Sequence, residues 1–576
     1  MNRKKRLLTL VGTVVLLLSL AVPIMQCAPA AEEEVTPPPP AEEEVAPPEE
    51  EEATTPEQPV KPVKLNTGWP TTQMVETLKC DEGWQYMNMG CLLWQLLYEQ
   101  LCIMGPAPDY EPLPMLATSW ESADGQTWTH HLREDAVFHD GVPVTAEDVA
   151  FTIENLPKSN PTFSFADITL KPGTSVKIID DYTLEFTLKT VHGGRFPAPW
   201  WVPVLPKHIW EPYKDNLTAF PNDEAIGSGP FKLKEFKAGQ YIWLEANENY
   251  AWGDIPHVSE VVFKTYGSDD AMYMALKNGE IDMIGYGGCS PLVVDDFKGI
   301  ENMETIISES ELEWELTFNL HKDGPLQNPD VRKAIMYGID RDSIIALAYN
   351  TYAEKIDSFV YPEMEEHNPD LPQYDYDAGK AVELLEKAGC LDTDGDGIRN
   401  DPTTGRNLVF ELIVSSDYTS EVKAITMITE QLNNIGIKIS MLAMDEATYE
   451  SQLYAPTGDL WDIAMGWATP GPNGDWVWEY ARSYDNGGAG WNSAYYNNPE
   501  YDELLNELLI ERDMAKRKEW LYDMQMILAE DLPYGYLWRV KTIDPVRTDK
   551  LEGYVATMGG IAGWFNPWSY FELRSK

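Results

Sequence analysis

Residues 408–441 read LVFELIVSSDYTSEVKAITMITEQLNNIGIKISM and contain three segments of different character. The segment at 408–414 is rich in apolar and β-branched residues, which predicts a strand. Apolar residues at helical spacing predict a helix over 422–434, and Asn434-Ile435-Gly436 is typical of the turn that follows it. Residues 437–441 predict a second strand. A strand, a helix and a strand in this order indicate an α/β unit.

The rest of the chain shows the same mixture of helix and strand signals. In the second half, Asn328-Pro329 and Asn498-Pro499 each place a capping residue before a proline, which predicts the start of a helix. A further helix over 378–388 is expected to stop at Gly389. The first half favours strands, with hairpins predicted over 120–139 and 175–189.

The N-terminus has the layout of a secretory leader, with Arg3-Lys4-Lys5-Arg6 before an uncharged, mostly apolar stretch over 7–25. The processing of this leader can be interpreted in three ways. Ile24-Met25-Gln26-Cys27 resembles a bacterial lipoprotein box, which would make Cys27 the diacylated first residue, although Met25 and Gln26 depart from the small residues of that pattern. Ala28-Pro29-Ala30 offers a cleavage site that releases a soluble protein, and an uncleaved anchor is the third reading. Each reading places the body outside the cytoplasm.

Residues 27–65 contain 11 Glu and 10 Pro but only two Lys, a composition that predicts a disordered, extended stalk. The whole chain carries a formal net charge of −51. The leader adds four positive charges and the stalk nine net negative ones, so the remaining body keeps −46. A body this acidic disfavours binding to nucleic acid and to anionic lipid.

Several longer motifs follow one another along the body. They are LATSWE at 116–121, WTHHLR at 128–133, FHDGVPVTAEDV at 138–149, GSGPF at 227–231, NENY at 247–250, GEID at 279–282, VRKAI at 331–335 and IDR at 339–341. In these residues the chain resembles the bacterial extracellular solute-binding proteins of family 5, the peptide, nickel and oligosaccharide receptors of ABC importers. The resemblance runs from about residue 66 to the C-terminus.

The resemblance implies an α/β, periplasmic-binding-protein-like venus-flytrap of type II, with two α/β lobes and a β-rich insert domain. The implied division is leader 1–26, stalk 27–65, domain I at 66–100, 225–318 and 540–576, domain II at 101–224, and domain III at 319–539. Ligand would lie between domains I and III, which close around it by a hinge motion.

The ligand anchor departs from the family pattern. In peptide-binding members, an Asp shortly after a Gly-Trp in domain III pairs with the peptide's N-terminal amine. The corresponding stretch here, Gly466–Pro472, reads GWATPGP and lacks that Asp. Asp475 would replace it only if the loop takes a different path. Because a buried ammonium needs a paired carboxylate, the missing Asp favours an uncharged or sugar-like ligand, whereas the family's usual ligand is a peptide.

Aromatic residues are the other candidates for ligand contacts, because indole faces stack on sugar rings and carry a polar N–H. The chain has 20 Trp and 29 Tyr, with Trp461, Trp476 and Trp478 close to Trp467 in sequence. Trp467 matches a pocket tryptophan of the family. The predicted ligand-binding residues are Trp467, Thr469, Trp314, Trp491, Tyr536 and Trp538. Most of the remaining tryptophans are expected in cores.

One loop has the pattern of a calcium site. Residues 392–397, DTDGDG, offer carboxylates at positions 1, 3 and 5 and a glycine at position 6. Position 12 is Thr403 where a strong site has a bidentate Glu. Asp392, Asp394 and Asp396 are therefore candidate ligands of a structural calcium, with a plain Asp/Gly turn as the alternative; no other cofactor is expected.

Five cysteines follow Cys27. They are Cys80, Cys91, Cys102, Cys289 and Cys390. Export permits disulfide bonds, but an odd number leaves at least one thiol unpaired, and the spacing is not that of a zinc site.

Signatures of enzymes are missing from the sequence, which has no G-x-S-x-G elbow, no H-E-x-x-H and no P-loop. We therefore expect a monomeric receptor that captures a peptide or a similar small solute outside the cytoplasm and delivers it to the permease subunits of an ABC importer. An oligosaccharide receptor of the same fold is the alternative, and a secreted hydrolase is the alternative from another class.

Overall fold

A computed structural model describes residues 63–79, 88–108, 110–159, 174–194, 196–197, 202–253, 255–285, 287–455, 458–469, 480–483, 492–563 and 566–576. The chain divides into two units, Met1–Pro59 and Val60–Lys576, and every described residue belongs to the second. The predicted leader and most of the stalk, with Cys27, lie outside the described residues. Within the described ranges, no helix is long and apolar enough to cross a membrane.

The strands follow one another from residue 64 to residue 575. In chain order they are β1 Lys64–Pro70, β2 Cys102–Met104, β3 Pro112–Pro114, β4 Ala117–Glu121, β5 Thr127–Leu132, β6 Ser175–Asp180, β7 Thr183–Thr187, β8 Phe231–Lys237, β9 Tyr241–Ala246, β10 Glu260–Tyr266, β11 Met283–Ile284, β12 Met303–Ser308, β13 Glu313–Phe318, β14 Ala353–Lys355, β15 Val409–Ser415, β16 Lys438–Met444, β17 Ile463–Ala468, β18 Tyr534–Val540, β19 Thr542–Arg547, β20 Leu551–Glu552 and β21 Arg574–Ser575.

The helices concentrate in the second half of the chain. They are α1 Asn88–Leu97, α2 Ala146–Ser159, α3 Lys207–Trp210, α4 Asp269–Asn278, α5 Pro329–Tyr337, α6 Arg341–Ala348, α7 Ala378–Lys387, α8 Thr419–Asn433, α9 Glu446–Leu453, α10 Pro499–Leu508, α11 Met514–Asp531 and α12 Trp568–Glu572. Short 3-10 turns occupy Thr71–Gln73, Glu211–Tyr213, Leu217–Ala219, Val294–Phe297 and Pro325–Gln327.

The first sheet is assembled from three distant parts of the chain. Its strand order is β12-β19-β11-β1-β10-β9-β8. β1 pairs in parallel with β10 and β11, and β8, β9 and β10 pair antiparallel in sequence order. Alternation within β1 buries Leu65 and Trp69, which begin the core of this lobe. The N-terminal, middle and C-terminal segments are therefore all needed to complete the sheet.

A smaller antiparallel sheet of order β4-β5-β7-β6 lies in the β-rich part of the chain. The hairpin predicted over 175–189 is confirmed, since β6 pairs with β7 around Asp180-Asp181. The one predicted over 120–139 is present as β4 and β5, with Trp120 opposite His130, but it ends at Leu132. Leu132, Leu184 and Phe186 of this sheet belong to the same buried cluster as the core of the first sheet. The insert is thus packed onto the first lobe.

The second sheet has the order β14-β18-β13-β17-β15-β16. β15 and β16 pair in parallel with α8 between them, which confirms the predicted α/β unit. Apolar residues of α5, α6, α7 and α8 form one core against this sheet, and those of α10 and α11 form another. Because helices cover it on both sides, the central strand β13 is buried along its whole length.

One predicted boundary is wrong. Domain I was expected to continue to residue 318, but β13 hydrogen-bonds to β17 and β18 and therefore belongs to the second sheet. The crossing between the two sheets lies after β12, which ends at Ser308. The reason is that backbone pairing fixes the membership of a strand, and the family resemblance does not specify it.

The helix ends follow their sequence signals. Asn328 accepts a hydrogen bond from the backbone N–H of Asp330, and Asn498 accepts bonds from Glu500 and Tyr501. Gly389 takes a left-handed conformation with φ of 79°, shortly after α7 ends. These caps confirm the predicted starts and the predicted stop.

Candidate ligand-binding site

Three of the predicted tryptophans lie side by side on one face of the second sheet. Trp314 of β13 lies directly opposite Trp467 of β17 and Trp538 of β18. Trp314 packs edge-on against Tyr418 with 5.2 Å between ring centroids, and Trp538 is 0% exposed and lies 5.3 Å from Tyr349. The same face carries the core formed with α5 to α8. Trp314 and Trp538 therefore have a clear packing role, and ligand contact by either stays a prediction.

Trp467 differs from its two neighbours because it is only partly buried, at the margin of this core. Its indole N–H is nevertheless buried and has no hydrogen-bond partner among the described residues. An unpaired buried donor is costly, so a ligand oxygen would be a favourable partner for it. Its predicted role in binding stays a prediction with this support.

Tyr536 and Thr469 lie outside the row formed by the three tryptophans. An irregularity in the pairing of β13 with β18 places Tyr536 opposite Glu315, where its ring packs edge-on against Phe359 at 4.9 Å. Burial raises the pKa of Tyr536 well above its usual value. Thr469 follows β17 and is buried, and its backbone hydrogen-bonds to Tyr480.

The remaining candidates around the Gly-Trp loop lie outside the described residues. They are Trp491, Trp476, Trp478 and Asp475. Their predicted contributions stay predictions.

The most unusual residues of the second sheet are two glutamates of β13 that the sequence analysis did not single out. Glu313 lies opposite Ala468 and Glu315 lies opposite Gly466. Their side chains alternate with that of Trp314 and therefore point away from the tryptophan face. Glu313 is 0% exposed and Glu315 is 2% exposed. Charged side chains are rarely buried to this extent unless they are paired.

Local packing fixes the position of Glu315. Thr317 Oγ1 donates a hydrogen bond to Glu315 Oε1 over 3.4 Å. Gly466 faces the same two side chains, and a Cβ at this position would collide with both. The glycine of the Gly-Trp motif is therefore required by the close approach of β17 to the Glu315 carboxyl group.

Hydrogen bonding leaves most of these carboxyl oxygens unsatisfied. Within the described residues, neither oxygen of Glu313 has a partner, and Glu315 Oε2 has none. Burial raises the pKa of Glu313 well above its usual value, and the nearby Glu315 raises it further against the attraction of Arg539. Burial raises the pKa of Glu315 to about 8, partly offset by the bond from Thr317. An added cation would favour the charged form of both groups.

Arg539 lies opposite Glu313 in the sheet but its guanidinium turns elsewhere. Its Nε donates to the carbonyl oxygen of Ser310 over 2.7 Å, and its carbon Cζ lies 3.7 Å from the centroid of the Tyr361 ring. Its Nη1 pairs with Glu363. Arg539 is therefore ion-paired with a carboxylate other than Glu313, while its Nη2 has no hydrogen-bond partner among the described residues.

The two lobes meet beside these glutamates. Glu311, just before β13, is buried, and a Cβ at Gly559 would collide with its carboxyl group. The backbone N–H of Gly559 donates to the carbonyl oxygen of Glu309 over 2.7 Å. On α1, burial and the charge of Glu311 raise the pKa of Cys91 to about 12. Groups from both lobes thus surround the start of β13.

The acidic loop predicted to bind calcium lies far along the chain, between α7 and β15. Asp392, Asp394 and Asp396 are exposed and can bring one oxygen each within 4.8 Å of the others. Asp392 accepts from the backbone of Gly395 over 2.7 Å, and Asn407 Nδ2 donates to Asp396 over 2.6 Å. The carboxylates thus already serve the turn, and a structural calcium stays a prediction.

The cysteines in the described ranges are buried thiols. These are Cys91, Cys102, Cys289 and Cys390. Burial raises the pKa of Cys102 well above its usual value and that of Cys289 to about 12, which makes thiolate formation unfavourable. Cys80 lies outside the described residues.

The signal that would have identified Glu313 and Glu315 is weak. The run Glu311-Leu312-Glu313-Trp314-Glu315-Leu316 alternates acidic and apolar residues, as expected of a strand with one solvated face. The residues that pair with this strand, such as Gly466 and Tyr536, lie more than a hundred residues away in sequence. A buried unpaired carboxylate therefore becomes visible only in the folded structure.

Comparison with known proteins places this architecture in one family. Residues 111–489 match the family model described as bacterial extracellular solute-binding proteins, family 5 Middle. This range covers more than half of the chain.

Individual relatives support the same family assignment. The oligopeptide-binding protein AppA of Bacillus subtilis is 29% identical over 457 residues, covering 76% of this chain and 80% of AppA. The nickel-binding periplasmic protein of Escherichia coli is 28% identical over 377 residues, covering 63% of this chain and 69% of that protein.

A solved structure shares the fold. It is that of AppA from Bacillus subtilis in complex with a nonapeptide, which superposes with a TM-score of 0.73 at 23% identity and covers 90% of this chain and 100% of that chain. The likeness confirms the predicted fold, a two-lobed venus-flytrap with mixed α/β content. By its motifs, its sheets and its match to the family model, the chain belongs to the bacterial extracellular solute-binding proteins of family 5.

Proposed function

We propose that this chain is the extracytoplasmic receptor of an ABC importer and that its ligand is a peptide. The observation that carries the proposal is the family match over residues 111–489 together with the oligopeptide-binding relative, which aligns over 76% of the chain. Receptors of this family bind a solute and pass it to a permease. Hydrolysis of ATP belongs to separate importer subunits, and the receptor itself performs no chemical step.

The ligand is expected where the two lobes meet, beside the start of β13 and the end of β17. Ala468 and Thr469 lead into this region, and both are buried. The region combines large aromatic side chains with the Glu313 carboxyl group and the Trp467 indole N–H, which have no partner among the described residues, as ligand sites commonly do. Hinge closure would bring groups of the first lobe onto the bound ligand.

The oligosaccharide alternative loses part of its physical basis. It rested on the missing Asp and on indole faces, and two of those indoles, Trp314 and Trp538, pack into a core. A nickel complex is the second candidate, since the nickel-binding protein of Escherichia coli is similar to this chain over 377 residues. The two candidates differ in charge and size and can be separated directly.

A thermal-shift screen tests the proposed function. The purified full chain, kept in detergent, is mixed in turn with short peptides, nickel with and without histidine, and oligosaccharides. We expect the melting temperature to rise with peptides, because a ligand that binds only the native state stabilises it. A rise with oligosaccharides alone would contradict the proposal, and a rise with nickel alone would replace it by the second candidate.

Membrane attachment is a separate proposal. We infer that Cys27 is diacylated after removal of the leader, so that the Glu- and Pro-rich stalk links the receptor to the outer face of the cytoplasmic membrane. Release of the protein from membranes after Cys27→Ala, detected by fractionation and by the mass of the N-terminal peptide, is the expected result. Unchanged membrane association would instead support an uncleaved anchor.

Two smaller proposals remain. The receptor is expected to act as a monomer, which light scattering of the detergent-free, stalk-cleaved protein would test.

The Asp392–Asp396 loop is proposed to bind calcium weakly, since Thr403 supplies no bidentate carboxylate at position 12. An unchanged melting temperature in millimolar calcium would remove this site.

A further inference from the structure

The start of β13 carries a group of buried polar atoms whose bonding is incomplete. Both oxygens of Glu313 lack a partner among the described residues, and so do Glu315 Oε2 and the hydroxyl of Tyr361. Tyr361 is 0% exposed, and burial together with the charge of the nearby Glu313 raises the pKa of its hydroxyl. Buried polar groups are normally satisfied, so several neighbouring exceptions point to a missing partner.

The excess of carboxyl groups in this region indicates that the missing partner carries a positive charge. Its carboxyl groups are Glu309, Glu311, Glu313, Glu315, Glu354 and Glu363, and its cationic groups are Arg539 and Lys541. Lys541 Nζ pairs with Glu309 and also with Glu354, over 2.9 Å. Arg539 pairs with Glu363. Lys541 and Nη1 of Arg539 are therefore engaged at the outer carboxylates. Arg539 Nη2 has no hydrogen-bond partner among the described residues, but no cation there forms an ion pair with Glu313.

The sheet register places these glutamates beside the end of β17, which leads into the segment that lacks the family's amine anchor. Glu313 lies opposite Ala468, and Glu315 lies opposite Gly466. The loop that begins at Thr469 is the one that carries no Asp at the expected position. A carboxylate supplied by β13 therefore reaches the same end of β17 from the neighbouring strand.

We propose that Glu313, supported by Glu315, forms a subsite for a positively charged nitrogen of the ligand. The nitrogen is an alkylammonium, either the N-terminus of a peptide or a lysine side chain. This inference rests on the proposed peptide-receptor function and adds the charge that the ligand carries at this point. Bound ammonium would convert the costly buried carboxyl into one half of a hydrogen-bonded ion pair.

The experiment uses three peptides and three forms of the full chain in detergent. The peptides are pentaalanine with a free N-terminus, N-acetyl-pentaalanine, and N-acetyl-Ala-Ala-Lys-Ala-Ala. The proteins are the wild type, Glu313→Gln and Glu411→Gln. Glu411 is the matched control because it is an exposed glutamate on β15 of the same sheet. Calorimetric titration gives the dissociation constants, and the melting temperature of each unliganded protein is measured in parallel.

We expect one of the two charged peptides to bind the wild type at least tenfold more tightly than N-acetyl-pentaalanine. The charged peptide that binds identifies the source of the ammonium. This preference should disappear in Glu313→Gln and remain in Glu411→Gln. The unliganded Glu313→Gln protein should melt no lower than the wild type, because the change removes a buried carboxyl group without a partner.

Three outcomes decide between the proposals. Equal affinity of the wild type for charged and neutral peptides would overturn the subsite while leaving the peptide receptor intact. A preference that survives in Glu313→Gln would also overturn it. Failure of all three peptides to bind the wild type would contradict the proposed function itself. The comparison of peptides on the wild type holds even if Glu313→Gln does not fold.

Discussion

Trp467 and Trp538 lie on one sheet face, on either side of Trp314, but differ in what surrounds them. Trp538 is fully enclosed by the helical core, whereas Trp467 is only partly buried at its margin. Sequence alone gave both residues the same role, because an indole serves equally well in a core and in a binding site. The number of neighbours in the folded state separates them, and that number depends on helices distant in sequence.

Substitution of the two tryptophans should therefore have different consequences. We expect Trp538→Ala to destabilise the protein by about 3–5 kcal/mol, the usual cost of emptying a large core position. Trp467→Ala should cost less stability and should weaken ligand affinity at least tenfold, about 1.4 kcal/mol. Urea unfolding and calorimetric titration measure the two effects. An unchanged dissociation constant for Trp467→Ala would remove this residue from the site.

The raised pKa of Glu315 predicts how the stability of the protein depends on pH. Its pKa rises from the ordinary 4.5 to about 8 on folding. The folded state therefore holds the proton more tightly, and the stability this gives is complete below about pH 4.5 and is lost as the pH rises through about 8. We expect unfolding free energy to fall between these limits, by up to about 1.4 kcal/mol for each pKa unit.

The variant Glu315→Gln isolates this contribution. Without a titrating group at this position, the fall in unfolding free energy from pH 5 to pH 8 should become smaller, as measured by urea unfolding at both values. Glu411→Gln, on an exposed position of the same sheet, should leave the fall unchanged. Identical pH dependence in wild type and Glu315→Gln would show that Glu315 keeps an ordinary pKa.

Among the elements, those with strong local signals were predicted well. The unit β15-α8-β16 follows from its periodicity and from Gly436, which has a φ of 84° at the turn. β13 was harder to place, because its alternating acidic and apolar residues are equally suited to an exposed strand. Its position between β17 and β18 results from pairings across about 150 and 220 residues of chain, which local patterns do not encode.

The contact between β13 and β17 can be tested through its glycine. Gly466→Ala would drive a methyl group into the Glu315 carboxyl and the Thr317 hydroxyl. We expect a loss of about 1–3 kcal/mol of unfolding free energy, as for other overpacked core positions. Gly267→Ala is the control, since nothing lies within 4 Å of a Cβ there. Equal stability of the two variants would show that the strands move apart easily.

The molecule as a whole carries far more acidic than basic groups, with 94 Asp and Glu against 43 Lys and Arg. Mutual repulsion of like charges destabilises a compact state, and salt screens it over a Debye length of about 10 Å at 0.1 M. We expect the melting temperature to rise between low salt and 0.5 M sodium chloride. A melting temperature that falls over this range would mean that ion pairs such as Lys541–Glu309 outweigh the repulsion.

The position of β19 affects how the protein acquires its shape during biosynthesis. In the first sheet β19 lies between β12 and β11, and β12 forms its ladder with β19 alone among the described strands. A nascent chain that has reached residue 541 therefore has β12 without a partner and its first lobe incomplete. The sheet can be completed only after residues 542–547 have been synthesised. A chain that ends before residue 542 is therefore expected to leave β12 unpaired and the first sheet incomplete.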